Sequence, residues 1–131
     1  MKGTLQAGLE AEATVRVDEA RTIDFMGEEA RVYATPMLVR DIEVACRNLL
    51  LPHLDAGEDS VGTRVEIEHV GATLLGMRVE LTVRLTELNG RAALFEVEGR
   101  DVVEPIVRGR HARFVVDVAK TAQRLAAKAQ K

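Results

Sequence analysis

The sequence predicts an α+β layer in which a curved antiparallel sheet wraps around one central helix, and three observations predict it. Residues 35–51 carry apolar side chains at helical spacing behind a Thr-Pro opening, the only long stretch ahead of the tail to do so. From residue 61 to about 118 the apolar period changes to alternation, the signature of half-buried strands. The alternating runs are separated by turn residues and not by helices, which antiparallel neighbours allow.

Taken in order, the chain begins with a weak alternation at residues 14–17, with Thr14 and Arg16 on one side and Val15 and Val17 on the other, enough for a short strand. The following run, DEARTIDFMGEEARVYA, has no clean period and is expected to form an irregular or partly helical cover. At Thr35-Pro36 a helix is expected to begin. A Thr at the N-cap accepts a bond from a free backbone N–H, and Pro at the first helical position gives up no hydrogen bond the helix needs. Leu38, Val39, Ile42, Ala45, Cys46, Leu49 and Leu50 then fall on one broad stripe, and Pro52 stops the helix.

After a polar loop, Val65, Ile67 and His69 share one face of a strand while Arg64, Glu66 and Glu68 share the other. GATLLG supplies a turn. Val79, Leu81, Val83 and Leu85 make the cleanest alternation, Asn89-Gly90 marks a hairpin, and Ala93, Phe95 and Val97 return on one face. Pro105 places another turn at residues 102–105, a last strand runs from about Ile106 to Val118, and the tail at 119–131 is rich in helix formers. A single sheet of this size has exposed edges, so a homodimer or higher homo-oligomer that continues the sheet is expected.

At 131 residues the chain fits one domain, residues 1–131. A net charge of -3 offers no concentrated positive surface, which argues against nucleic acid. No stretch approaches the roughly 20 apolar residues of a membrane span, and the first residues lack a signal-peptide core. With Cys46 as the only cysteine, neither an intrachain disulfide nor a multi-thiolate metal site can form, and a cytoplasmic location is expected.

Several residues stand where chemistry is carried. Thr35 lies just before the helix, Glu43 follows eight residues later, and His69 twenty-six beyond that. Around His69 runs H-x-x-A-T-x-x-G, with Ala72, Thr73 and Gly76; Gly62-Thr63 stands near the start of the same strand; and G-x-H-x-R places Gly109, His111 and Arg113 on the last strand. With these motifs, the stretch from about Ala34 to Phe114 resembles the hot-dog-fold acyl-CoA thioesterases of the fluoroacetyl-CoA thioesterase type. The resemblance implies a hot-dog dimer with a site at its interface and a catalytic triad of Thr35, Glu43 and His69 acting on an acyl-CoA thioester. It implies substrate contacts at Gly62, Thr63, Ala72, Phe25, Tyr33, His111 and Arg113, and no metal or redox cofactor. It does not extend to selectivity for a fluorinated acyl group, because the family's lid carries phenylalanines where this chain reads IDFMGEEARVYA, with Phe25, Met26 and Tyr33.

Each residue also has a plainer reading. Glu43 at the margin of the apolar stripe is an ordinary helix glutamate paired with Arg47, or a half-covered carboxylate suited to act as base or nucleophile. His69 on an apolar face is a satisfied core histidine, or an imidazole that moves a proton to a nearby hydroxyl or carboxylate. Thr35 is a structural cap, or a hydroxyl placed where free N–H groups and the helix dipole favour a developing negative charge. His111 and Arg113 share one face of the last strand and Arg108 and Arg110 the other, either as an ordinary charged strand or to hold coenzyme A phosphates. Cys46 reads as a buried, inert thiol, His53 as solvated, and Arg40, Asp41 and Arg47 as the wet face of the helix. Two functions follow: hydrolysis of an acyl-CoA thioester, or acyl-CoA binding or sensing without turnover.

Overall fold

A computed structural model describes residues 1–131. Five strands form one antiparallel sheet: β1 (Glu10–Arg16), β2 (Glu58–His69), β3 (Arg78–Asn89), β4 (Ala92–Asp101) and β5 (Pro105–Asp117). Their order is β1-β3-β4-β5-β2, so the strand carrying His69 lies at one edge and β1 at the other. Helix α1 (Thr35–Leu50) packs on one face against β1, β2 and β3, and α2 (Val118–Ala129) closes the chain. The helix therefore crosses beneath a sheet whose two edges it touches.

The alternations of the sequence become the two faces of this sheet. Val79, Leu81, Val83 and Leu85 from β3 and Ala93, Phe95 and Val97 from β4 are buried against Leu38, Ile42, Cys46 and Leu50 of α1. Outward from β3, β4 and β5 point Glu80, Arg84, Glu96, Glu98, Arg108 and Arg110, a charged lattice open to solvent. Register shifts at Gly62/Arg64, Leu85/Glu87 and Gly99/Arg100 mark bulges, the devices by which strands bend.

Some boundaries differ from the sequence expectation. The first strand starts at Glu10 because Ala11 and Ala13 continue the inward face of Val15, and alanine gives a weak strand signal. The hairpin at residue 90 turns on Gly90 and Arg91 between paired Asn89 and Ala92. Gly90 has φ +64° and Arg91 does not have positive φ, the signs of a type II′ turn centred one residue later than Asn89-Gly90. The cover before α1 is built from two short 3-10 turns, Glu19–Arg21 and Glu28–Ala30, tied down by the bridges Thr22 to Tyr33 and Val32 to Leu74. His53 is not simply solvated: its Nδ1 meets Thr4 Oγ1 at 2.8 Å, which fastens the N-terminal segment over the end of α1.

Candidate active site

Thr35 is the first residue of α1 rather than its cap; Ala34 holds the cap position, and its carbonyl accepts from Met37 and Leu38. The Thr35 hydroxyl is thereby free of the capping role expected of it, and it meets His69 Nδ1 at 2.7 Å. His69 ends β2, on the face that carries Val65 and Ile67. Its Nε2 is buried and has no hydrogen-bond partner. Burial lowers the pKa of this imidazole, opposed by the backbone at Gly71, so it is neutral near pH 7.

Behind His69 stands a buried ionic cluster. Tyr33, expected to touch substrate, is 2% exposed; its ring meets His69 edge-on at 6.4 Å and its hydroxyl donates to Asp41. Asp41, expected on the wet face of the helix, is 7% exposed and receives two bonds from Arg21, at 2.9 and 3.1 Å. Its position three residues after Leu38 and four before Ala45 puts it inside the apolar stripe, a signal that was present in the sequence.

Glu43 occupies a different place. Eight residues of helix separate it from Thr35, about 12 Å along the axis, so one chain does not bring the carboxylate onto the Thr35–His69 pair. Its partner is not Arg47, which pairs with Asp59 at 2.7 Å, but Arg113, whose Nη1 lies 3.5 Å from Glu43 Oε2. Arg113 also donates to Ser60 Oγ and to the Ser60 carbonyl, both at 2.8 Å. Gly62 lies against the carboxylate so closely that a Cβ there would be 3.0 Å from Glu43 Oε2 and 3.2 Å from His111 Cε1. Arg40, Glu43, Val44, Arg47 and Arg113 line a cleft of about 220 Å³.

His111 and Arg113 both face inward from β5, at 0% and 4% exposure, and their polar atoms are engaged by one another, by Ser60, by Glu43 and by the Arg64 carbonyl. Phe25 is exposed at the tip of the cover, next to Gly27. Ala72 is exposed in the loop after β2, while Thr73 beside it is buried and donates to Asp101 at 2.9 Å. The Thr63 hydroxyl donates to the Ala112 carbonyl at the β2 bulge. Cys46 is buried among the core residues of α1, and burial pushes its thiol up to about 12, which leaves it inert.

The sequence model of the family described as fluoroacetyl-CoA-specific thioesterase matches residues 17–119. The chain belongs to this family. Among curated relatives, the fluoroacetyl-CoA thioesterase of Streptantibioticus cattleyicolor is 36% identical over 93 residues, covering 71% of this chain and 67% of its own. The solved structure of the fluoroacetyl-CoA thioesterase FlK matches with a TM-score of 0.87 at 28% identity, over 95% of this chain and 97% of that one. A point variant of FlK, solved in complex with fluoroacetate and CoA, matches at 0.83 and 29% identity, over 89% and 99%. A hot-dog-like protein from Thermanaerovibrio acidaminovorans shares the fold at a TM-score of 0.85, with 20% identity over 93% and 91%.

Within the fluoroacetyl-CoA-specific thioesterase family fold, the residues singled out by sequence thus fall into two groups on one chain. One is Thr35 and His69 at the start of α1, backed by Tyr33, Asp41 and Arg21. The other is Glu43 and Gly62 toward the middle of α1, backed by Arg113, His111 and Ser60. Ser60 and the pairing of Glu43 with Arg113 were not legible beforehand, since the contact joins residues from three separate elements.

Proposed function

We propose that this protein hydrolyses an acyl-CoA thioester to the free acid and coenzyme A. The observation that carries the reading is the Thr35–His69 hydrogen bond, with a neutral imidazole whose Nε2 is unpartnered, in a member of a thioesterase family. Either Glu43 attacks the thioester carbonyl, expelling the thiolate of coenzyme A and leaving an anhydride that water then hydrolyses to the free acid and Glu43, or Glu43 draws a proton from a water that attacks the carbonyl and expels the thiolate. His69 handles the proton at Nε2, and Thr35 fixes the ring through Nδ1. At the start of α1 the Thr35 N–H is the backbone donor left for the oxygen that gains charge, since Pro36 has none and Met37 and Leu38 donate to the Ala34 carbonyl. No metal or redox cofactor is needed for these steps.

The separation of Glu43 from His69 supports a homodimer as the working unit. β2 is a long edge strand whose outer side has no partner in one chain. Antiparallel pairing of β2 with the β2 of a second copy, centred between Val65 and Glu66, lays His69 of one protomer beside the partner's Gly62, against which the partner's Glu43 packs. Each of the two sites then takes Thr35 and His69 from one chain and Glu43 from the other. Arg40, at the mouth of the Glu43 cleft, is the cation without an ion-pair partner there and so available to the phosphates of coenzyme A, whereas Arg47 is held by Asp59. The exposed Phe25 and Met26 on the cover are the apolar side chains available to meet the acyl group.

The test is release of thiol from a panel of short acyl-CoAs, followed with a thiol-trapping dye. Wild type is expected to turn over at least one thioester and His69→Ala to lose that activity. Equal silence of both on every thioester sinks the reading, and calorimetric binding of a CoA ester without thiol release would make the chain a binding or sensing domain instead.

A further inference from the structure

The side chain of His111 is fully buried between Phe95, whose ring stacks on it at 6.5 Å, and the Gly62 backbone. Both of its nitrogens are engaged. Nε2 meets Arg113 Nη1 at 3.1 Å, and Nδ1 meets the Arg64 carbonyl at 2.8 Å. A guanidinium only donates and a carbonyl only accepts, so both contacts are hydrogen bonds in one protonation state alone: a lone pair on Nε2 and a proton on Nδ1. The neutral ring cannot turn over without losing both bonds, and the imidazolium would set an N–H against an N–H of Arg113.

Arg113 reaches Glu43 with the same nitrogen that His111 holds. Its Nε and Nη2 are spent on Ser60, and its Nη1 divides between His111 and, at 3.5 Å, Glu43 Oε2. The lone pair of His111 therefore fixes the direction of one Nη1–H and leaves the other for the carboxylate. We propose that His111 is a positioning residue for Glu43, acting through Arg113, and that it works only as the neutral tautomer with its proton on Nδ1. This rests on the thioesterase reading for its catalytic consequence, not for its geometry. The charged and titratable groups facing the pair are Arg113 on β5, Glu43 and Cys46 on α1 and Asp59 on β2; β2 also contributes the Arg64 carbonyl and Ser60, and β4 only the ring of Phe95.

Two measurements on the full chain decide it. In long-range ¹⁵N NMR of the wild type at neutral pH, His111 should show a protonated Nδ1 and a bare Nε2; in Arg113→Met the Arg64 carbonyl should keep the proton on Nδ1 while the Nε2 resonance shifts with the loss of its donor. In thioester hydrolysis, His111→Leu should lower kcat roughly 10- to 100-fold, the scale of a slightly misplaced reacting group, with KM within about twofold. His111→Gln, which can return an acceptor to the Nε2 position, should recover most of the loss. A proton on Nε2 in the wild type, or wild-type kcat in a folded His111→Leu, overturns the proposal. If His111→Leu does not fold, the wild-type spectrum and the glutamine variant still decide. A wild type silent on all thioesters while showing the bare Nε2 would overturn the thioesterase reading and uphold the geometry.

Discussion

The hydroxyl of Thr35 and Nδ1 of His69, thirty-four residues apart in sequence, lie 2.7 Å apart and join the first turn of α1 to the end of the edge strand β2. The bond sets the plane of the imidazole and leaves Nε2 as the only free ring nitrogen. Thr35→Ser keeps the oxygen and is expected to retain most of kcat, whereas Thr35→Val keeps the shape and loses the bond. Valine should lower kcat roughly 100-fold while leaving the melting temperature within a few degrees. Equal kcat for the valine and serine variants would show that the ring needs no such anchor.

Two imidazoles make stability depend on pH in a stated direction. Burial is the main cause that lowers the pKa of both His69 and His111 from the ordinary 6.5. For His69 the Gly71 backbone opposes the shift; for His111 the Arg64 carbonyl and Glu43 oppose it and Arg113 adds to it. In the unfolded chain these rings take up protons near pH 6.5, while in the folded chain they stay neutral to lower pH. The unfolded state therefore binds more protons in that window, and stability, complete above pH 6.5, falls as pH drops through it toward the folded pKa values. Melting temperature followed downward from about pH 8 should decline below about pH 6.5, and less steeply in His111→Gln. A flat or rising profile there would contradict the burial of neutral rings.

How much of this was legible in the sequence depends on the range of the interaction. Alternation and helical spacing reported which face each side chain takes, so the core residues Leu38, Ile42, Val79 and Phe95 and the inward direction of His69 were readable one element at a time. The role of Thr35 was half readable: Thr-Pro marks a helix start whether the hydroxyl caps the helix or, as here, turns to a histidine on the edge strand β2. What could not be read is pairing between elements. Arg47 stands four residues from Glu43, the ordinary helix spacing, yet it bonds Asp59 on β2, while Glu43 takes Arg113 from β5. Register between β2 and β5, with Gly62 opposite Arg113, decides that exchange, and no local pattern encodes it.

The place of Asp41 in the apolar stripe signals its burial but not its partners, and its removal should be costly. Its carboxylate is nearly inaccessible and accepts from the Arg21 guanidinium and the Tyr33 hydroxyl, thereby linking the cover before α1 to the helix itself. Asp41→Ala strands the buried Tyr33 hydroxyl and leaves Arg21 only its exposed pair with Asp18, at a cost on the order of 2 kcal/mol. Because Tyr33 also backs His69, activity should fall along with stability. Chemical denaturation gives the first number and the thiol-release assay the second; a variant as stable as wild type would mean that water readily replaces the carboxylate.

Gly62 offers a sharper separation of catalysis from stability. It lies on the exposed edge strand with a backbone that is not at positive φ, so alanine costs no conformational strain there. The added methyl would meet Glu43 Oε2 at 3.0 Å and His111 Cε1 at 3.2 Å. The imidazole is locked by two hydrogen bonds, whereas the Glu43 side chain is the freer neighbour, so the carboxylate yields and swings toward solvent. Gly62→Ala should therefore lose kcat about 10- to 100-fold, as expected for a reacting group displaced by a fraction of an ångström, while its unfolding free energy changes by less than about 1 kcal/mol. Unimpaired turnover in this variant would show that the position of the Glu43 carboxylate seen in one chain is not the one used in hydrolysis.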